Sequence, residues 1–510
     1  MVFESILFAS TVPDDSLHLE EPAFMVDLNI NQVVDTALKG KEEYNLKPYF
    51  YTLLANTEDI KYRQEVMQDI ERQDLYRYLK AFEGDMRNIR KQLAETEKLY
   101  YQYHKERVFL DIVIFYGQAM ESLAKNLPHL PIKSRGFITF CNYLTSYTES
   151  LQFKNLLAEA RAIIHELSSI KYSVHIKELR VRVLDFQPGD DYTEEVQATF
   201  AKFKQGDVKD YRSGLSYPLG MNHVEAKILD GVAYLNPDAF ARLDAFYKGN
   251  TRFQDETIVR FDREVQFYLA YFEYIENIKK AGLEFCYPQV SAVDKEIDVT
   301  ACFDLPLAHK LVSEKKAVVA NDFYLKGHER ILVVTGPNQG GKTTFARTFG
   351  QLHYLAGLGL PVPGSRAKLF LCNNIFTHFE KEENVLNLRS KLEDDLARLH
   401  WILGHCTPDT IVIMNEILTS TTLQDGIFLS KKIMEDLTRL DVLCVWVTFI
   451  DELASFNEKT VSMVGAVVSG DPSQRTFKFS RMPANGLAYA ISVAEKYQLT
   501  YSELKKRIIP

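Results

Sequence analysis

Gly336 to Thr343 has the residue types and the order needed to hold a phosphate chain, fitting G-x-x-x-x-G-K-[ST]. Gly336, Gly340 and Gly341 let the backbone curl so that successive N–H groups point inward at phosphate. Pro337, Asn338 and Gln339 lie inside the loop, and Thr344 follows it. Lys342 would reach the β- and γ-phosphates, and the Thr343 hydroxyl would ligate Mg²⁺. A second polar pair, Asn415-Glu416, closes the apolar run Ile411 to Met414. Many enzymes with such a loop carry here an Asp at the magnesium shell, then a Glu that orients the attacking water. Glu416 suits the second role, its alternative being an ordinary strand-end carboxylate. Asn415 stands in the first position, where its amide accepts a hydrogen bond from a metal-bound water but brings no charge. The chemistry expected is nucleoside triphosphate binding, with Glu416 and Asn415 as the catalytic candidates.

These groups work only if regular elements hold them. Ile331 to Thr335 is apolar and rich in β-branched residues, as a buried strand ahead of the loop must be. A helix beginning near Lys342 would add its positive N-terminal end. From about Thr300 the chain alternates strand and helix patterns, which predicts an α/β nucleotide-binding domain over 300–510. Ahead of it, 48–170 reads as helical, with Ile60, Tyr62, Val66, Ile70 and Tyr76 at roughly helical spacing, a break at Leu127 to Pro131, and a further helix from about Gly136 to Leu167. Residues 171–235 read as a small α/β or β insert. Val181 and Val183 alternate with Arg180 and Arg182, a turn-rich loop covers Asp185 to Asp191, and Val224 to Leu235 looks extended. Helix returns in 236–299, where Ile258, Phe261, Val265, Tyr268, Phe272 and Ile275 step by three and four. A helical hairpin interrupted by a small insert is a lever-like architecture. Residues 1–47 are mixed, with a turn at Pro13 to Asp15 and a weakly strand-like run from Leu28 to Asn31.

Composition narrows the partners. With 46% hydrophobic and 25% charged residues, 510 residues make an ordinary globular chain long enough for two to four domains. A net charge of −9 offers no global attraction to nucleic acid, so any DNA contact must come from a local patch. Six scattered cysteines without a C-x-x-C pair suit reduced thiols, and no apolar run is long enough to span a bilayer. With no basic start resembling a signal peptide, a cytoplasmic protein is expected.

The block from about Val318 to Ala490 resembles the ATPase domain of the MutS DNA mismatch-repair family. The resemblance is carried by Ala320-Asn321, by Thr335 to Thr344 with Pro337 and Asn338 inside the loop, and by Gly359 to Pro363. It continues through Arg389-Ser390, Met414 to Ile417, Ser420 to Gly426, and Gly486 to Ala488. The helical region is similar to that family's core, lever and clamp segments, on architecture and short stretches such as Tyr62-Arg63-Gln64. The resemblance implies a multidomain chain: a helical core/lever domain with a small α/β insert, then an α/β P-loop ATPase domain of ABC/MutS type. It also implies ATP and Mg²⁺ as ligands, DNA as partner, and head-to-tail pairing of two subunits in a homodimer. Ser390 would then be presented to a neighbour's γ-phosphate. Its other reading is a helix N-cap, with Glu393 in capping-box spacing.

Departures from that pattern carry information. Asn415 replaces the family's Asp, and Thr448-Phe449 replaces Thr-His, removing a group that could sense the γ-phosphate. Val318 stands where an aromatic residue stacks adenine. No Phe-x-Glu wedge precedes the ATPase region, the N-terminal domain that carries it is not expected, and Pro510 ends the chain where the family continues into a dimerisation extension. Slow hydrolysis is expected, without mismatch reading by the wedge. Two functions remain open. One is a dimeric ATPase clamping DNA in mismatch repair or recombination, with Arg180, Arg182, Lys202, Lys204, Lys209 and Arg212 on phosphates, though Asp190, Asp191, Glu194, Glu195, Asp207 and Asp210 nearly cancel them. The other is a nucleotide-gated protein scaffold with little turnover and no DNA.

Overall fold

The structure, a computed structural model, describes residues 3–9, 17–177, 180–187, 221–380, 391–468, 471–484 and 498–507. Its contacts divide the chain into two compact units. One comprises 1–2, 73–132 and 138–262; the other comprises 3–72, 133–137 and 263–510. The first 72 residues therefore belong almost wholly with the α/β part of the chain.

That N-terminal segment is helical where a weak strand was expected. α1 (Phe24–Asp27) and α2 (Ile30–Ala37) meet at Asn29, whose φ of 57° lies in the left-handed region. Asparagine tolerates this conformation, so Leu28 to Asn31 turns a corner instead of extending. Ile30, Val33, Val34 and Ala37 form the buried stripe of α2. α3 (Lys47–Tyr51) opens on Pro48, and α4 (Thr57–Ile70) is capped by Asn56, which accepts the Asp59 N–H at 2.8 Å. The Pro13 to Asp15 turn lies outside the described residues.

The other unit is mainly helical. α5 (Gln73–Thr96) buries Leu75, Leu79, Phe82, Met86 and Ile89 along one stripe, packed against α6 (Gln102–Asn126). The predicted helix from Gly136 to Leu167 is two, α7 (Arg135–Glu149) and α8 (Leu151–Ser169). Ser150 adopts extended geometry and its Oγ accepts the Phe153 N–H, restarting the helix. α6 and α8 touch at Gly117, where an added Cβ would lie 2.3 Å from the Leu157 side chain. β1 (Tyr172–Lys177) and β2 (Arg180–Asp185) form an antiparallel hairpin. The run Val224 to Leu235, expected to be extended, is instead α9 (His223–Leu235). Asn222 accepts the Val224 and Glu225 N–H groups while the Glu225 carboxylate accepts the Asn222 N–H, a capping box that outweighs the β-branched residues. α10 (Pro237–Gly249) follows, then α11 (Glu256–Lys280). All six residues of the predicted α11 stripe are buried. Phe261 stacks on Phe140 within this unit, whereas Phe267 and Tyr268 belong to the other, where they meet Phe50 and the Ile6 carbonyl.

The α/β unit holds mixed sheets. β3 (Phe285–Cys286) pairs later with β8 (Val362–Pro363). β4 (Gln289–Ser291), β5 (Ile297–Cys302), β6 (Asn321–Leu325) and β9 (Arg366–Phe370) form a sheet ordered β4-β9-β5-β6, and α12 (Leu305–Ser313) follows β5. The larger sheet contains β7 (Ile331–Thr335), β10 (Asn374–Phe379), β11 (Thr410–Asn415), β12 (Leu443–Val447), β13 (Thr460–Val468) and β14 (Asp471–Arg481). Its order is β10-β11-β12-β7-β13-β14, parallel throughout except for β14. β7, β11 and β12 are buried along their whole length, as parallel strands covered on both faces must be. α13 (Lys342–Gly357), α14 (Lys391–His405) and α15 (Leu423–Leu440) connect them, and α16 (Tyr501–Arg507) comes last.

The N-terminal segment is stitched into this α/β unit. Asp27 accepts hydrogen bonds from Thr377 and Arg398, and the Leu28 carbonyl accepts one from Gln351 of α13. Arg63, 1% exposed, donates to the Leu7 and Leu358 carbonyls and lies near the rings of Phe8 and Phe267. Gly359, with φ 74°, packs directly against it: an added Cβ would sit 2.7 Å from the Arg63 Cβ. Among the described residues no helix is long and apolar enough to cross a membrane.

Candidate active site

Because β7, β11 and β12 are parallel, their C-terminal ends share one edge of the sheet, where open α/β sheets bind ligands. That edge receives the loop after Thr335, the Asn415-Glu416 pair and Thr448-Phe449. The loop has the predicted context, a fully buried strand before it and a helix from Lys342 after it. Gly336 has φ 132°, and a Cβ there would lie 3.0 Å from the Gly465 backbone nitrogen of β13. Gly341 turns into the helix with φ 89°. Both conformations are open to glycine and costly for other residues. Within the loop the Gly340 N–H donates to the Pro337 carbonyl at 3.1 Å, and Gln339 also has a left-handed φ, 58°.

Lys342 is buried and gathers partners around its ammonium. It donates to the Gly336 and Pro337 carbonyls at 3.3 Å each and to Asn338 Oδ1 at 3.4 Å. The Glu416 carboxylate lies 3.5 Å away and the Phe449 ring centroid 4.4 Å away. Burial pushes the ammonium below its ordinary pKa, while Glu416 pulls it back up. Glu416 has φ 53°, a conformation costing roughly 1–2 kcal/mol outside glycine. Its N–H is tied to the Val447 carbonyl at 3.0 Å, so β12 holds the strained turn in place. The Thr343 hydroxyl donates to Asn415 Oδ1 at 2.8 Å. Thr343, Asn415 and Glu416 thus bring two neutral oxygens and one carboxylate close together. Hard oxygen donors of this kind fit Mg²⁺, which takes the rest of its shell from phosphate and water.

Beside the loop and α13 lies a cavity of about 560 Å³ whose lining includes Phe303, Leu307, Leu311 and Val318. Val318, expected in place of an adenine-stacking aromatic, does line it, and Phe477 and Phe479 of β14 supply aromatic walls next to Gly341. These two residues were not foreseen. Phe477 sits where β13 and β14 lose register between Gly465 and Val467, and its φ is 58°. Asn321 pins that stretch, donating to the Phe477 carbonyl at 3.1 Å and accepting the Phe479 N–H at 2.8 Å. The alternation Phe477-Lys478-Phe479 was a readable strand signal, but only the fold brings it to the loop. Arg475 donates to the Asn338 carbonyl at 3.2 Å, a second unforeseen contact. Arg389, Ser390 and Gly486 to Ala488 lie outside the described residues.

The hairpin β1–β2 gives the other candidate surface. His175 faces Arg182, and Lys177 is in register with Arg180. Opposite residues of an antiparallel pair share a side and residues two apart along a strand do too, so His175, Arg180 and Arg182 lie on one basic side. Val183, on the other side, packs against Gly231 of α9, and Asp185 shares that side opposite Tyr172. His175, Arg180 and Arg182 are exposed. Lys202, Lys204, Lys209, Arg212 and the acidic residues weighed against them lie outside the described residues.

Comparison with known proteins bears on the same region. Residues 332–506 match the family model described as MutS domain V. The DNA mismatch repair protein MutS of Thermotoga sp. (strain RQ2) is 27% identical over 180 residues, covering 35% of this chain and 23% of that protein. The endonuclease MutS2 of Borreliella burgdorferi is 27% identical over 224 residues, covering 44% of this chain and 27% of that protein. MutS of Zymomonas mobilis is 28% identical over 186 residues, covering 35% and 21%. The matched part of this chain thus spans about a quarter of the length of these relatives.

Proposed function

We propose, from the premise that this chain carries a domain V of the MutS family, that it is an ATPase acting on DNA in mismatch repair or recombination in the cytoplasm. The observation that carries the reading is the convergence of Lys342, Thr343, Asn415 and Glu416 at one sheet edge, beside a cavity with aromatic walls. In this reading the loop 336–343 cradles the phosphates and the base enters the slot between Val318, Phe477 and Phe479. Lys342 leaves Glu416 for the β- and γ-phosphates, and Glu416, freed from the lysine, orients the attacking water. Mg²⁺ would be held by Thr343 with Asn415 beside it, and when bound neutralises charge on the phosphates.

Asn415 is uncharged and Phe449 can neither donate nor accept a proton, so hydrolysis is slow and the bound state is long-lived. Two subunits close head to tail on ATP as a homodimer, with Ser390 of each reaching the other's γ-phosphate. The exposed basic side of β1–β2 favours DNA held through its phosphates. The same slow turnover favours a second reading, a nucleotide-gated scaffold whose partner is a protein. The nucleotide site is tested by calorimetry with Mg·ATP. Lys342→Ala removes a side-chain charge facing the phosphates and is expected to abolish binding or weaken it severely. Unchanged affinity would overturn the site.

A further inference from the structure

Phe449 is a large apolar residue left 51% exposed at a polar site. It follows β12, and the backbone before it is tied down: the Thr448 N–H donates to the Val334 carbonyl at 3.1 Å. Beyond it, the Ile450 N–H donates to Thr448 Oγ1 at 3.1 Å. The ring is thus held at the end of the strand beside β7, with its centroid 4.4 Å from the Lys342 ammonium. The other neighbours of that ammonium are all long, from 3.3 Å to the loop carbonyls to 3.5 Å to Glu416. A phenyl ring offers no hydrogen bond, but its face attracts a cation. Such a contact, unlike an ion pair, occupies none of the ammonium's three N–H donors.

We propose that Phe449 is a positioning residue for the nucleotide: its ring holds the Lys342 ammonium at the mouth of the phosphate loop. The lysine's N–H groups then remain available for phosphate oxygens, and water is kept from one side of it. Glu416 need not stay as the lysine's counter-charge when nucleotide arrives, which leaves that carboxylate for the water. This rests on the reading of 336–343 as the nucleotide site.

The test measures Mg·ATP and Mg·ADP affinity by calorimetry on the full chain and three variants. Phe449→Leu and Phe449→Met keep apolar bulk without a ring face, and Phe449→Tyr restores the face. Leucine and methionine are expected to weaken both nucleotides by roughly 2- to 30-fold, the range a cation–π contact spans. Tyrosine is expected to stay within about two-fold of the natural chain, a rescue that mere packing would not require. Two ring-free variants are used so that local disturbance by one cannot decide the outcome. If both bind as tightly as the natural chain, or if tyrosine binds as weakly as leucine, the positioning role is overturned while the nucleotide site stands. If the natural chain binds neither nucleotide, the site itself fails.

Discussion

At the scale of single residues, Thr343 and Asn415 are paired at the proposed nucleotide site. The Thr343 hydroxyl donates to a neutral amide oxygen at 2.8 Å. Hydrogen bonds to charged groups contribute about 1.5–3 kcal/mol against about 1 for neutral ones. If that difference appears in the transition state, it amounts to a few-fold to tens-fold in rate. Asn415→Asp combined with Phe449→His is therefore expected to raise ATP turnover over that range. Steady-state phosphate release measures this. Fast turnover by the natural chain, slowed by the double substitution, would mean that the site works through these residues as they stand. The candidates in the loop and at 415–416 were legible because their chemistry is written in consecutive residues. Phe477, Phe479 and Arg475 were not, because their relevance depends on β14 crossing back past the loop.

At the scale of elements, Asp304 shows how a cap can tie pH to stability. Its carboxylate accepts the Leu307 N–H at the start of α12 and a hydrogen bond from Gln351, and it lies 6% exposed. Burial pushes its pKa up to about 6, against the opposing effect of those hydrogen bonds. The folded state therefore binds a proton more tightly than the unfolded chain. The stability Asp304 contributes is full below about pH 4 and is lost as pH rises through about 6. Asp304→Asn keeps the cap acceptor and removes the titration. In urea unfolding the variant should lack the loss of stability that Asp304 adds to the natural chain as pH rises from 4 to 6, so the difference between the two changes across that window. An unchanged pH profile would rule out this contribution. The elements misread from sequence have local causes. Leu28 to Asn31 bends at a left-handed Asn29, and Val224 to Leu235 became helical through the reciprocal cap of Asn222 and Glu225. In both, an asparagine just before the helix decided what apolar content left open.

At the scale of the whole molecule, the two readings of function predict different behaviour on a polyanion. A dimer that grips DNA through phosphates should be retained on DNA resin with ATP, and its affinity should fall steeply as salt rises. Substituting Arg180 and Arg182 by Gln should reduce the salt slope by roughly one or two, since each phosphate contact contributes about 0.9. Light scattering with a non-hydrolysable ATP analogue is expected to report a dimer. A nucleotide-bound dimer that ignores DNA at low salt would favour the scaffold.

The sequence alone determined the glycine-rich loop, the strand and helix around it, the polar pair on a second strand and the buried stripe of α11. Each of these is a local pattern: glycines at fixed spacing, β-branched runs, or apolar residues at helical period. Only the tertiary structure decided that 3–72 packs with the α/β unit, because Asp27, Leu28 and Arg63 find their partners at Thr377, Gln351 and Leu358, some 300 residues away. Only it brought Phe449 over Lys342, since parallel strands gather their ends whatever their order in the chain, and Phe477 beside Gly341, since the antiparallel β14 runs back past the loop. Burial of a charged or polar group leaves no mark on its neighbours in sequence. Its partners are chosen by the packing that removes it from water.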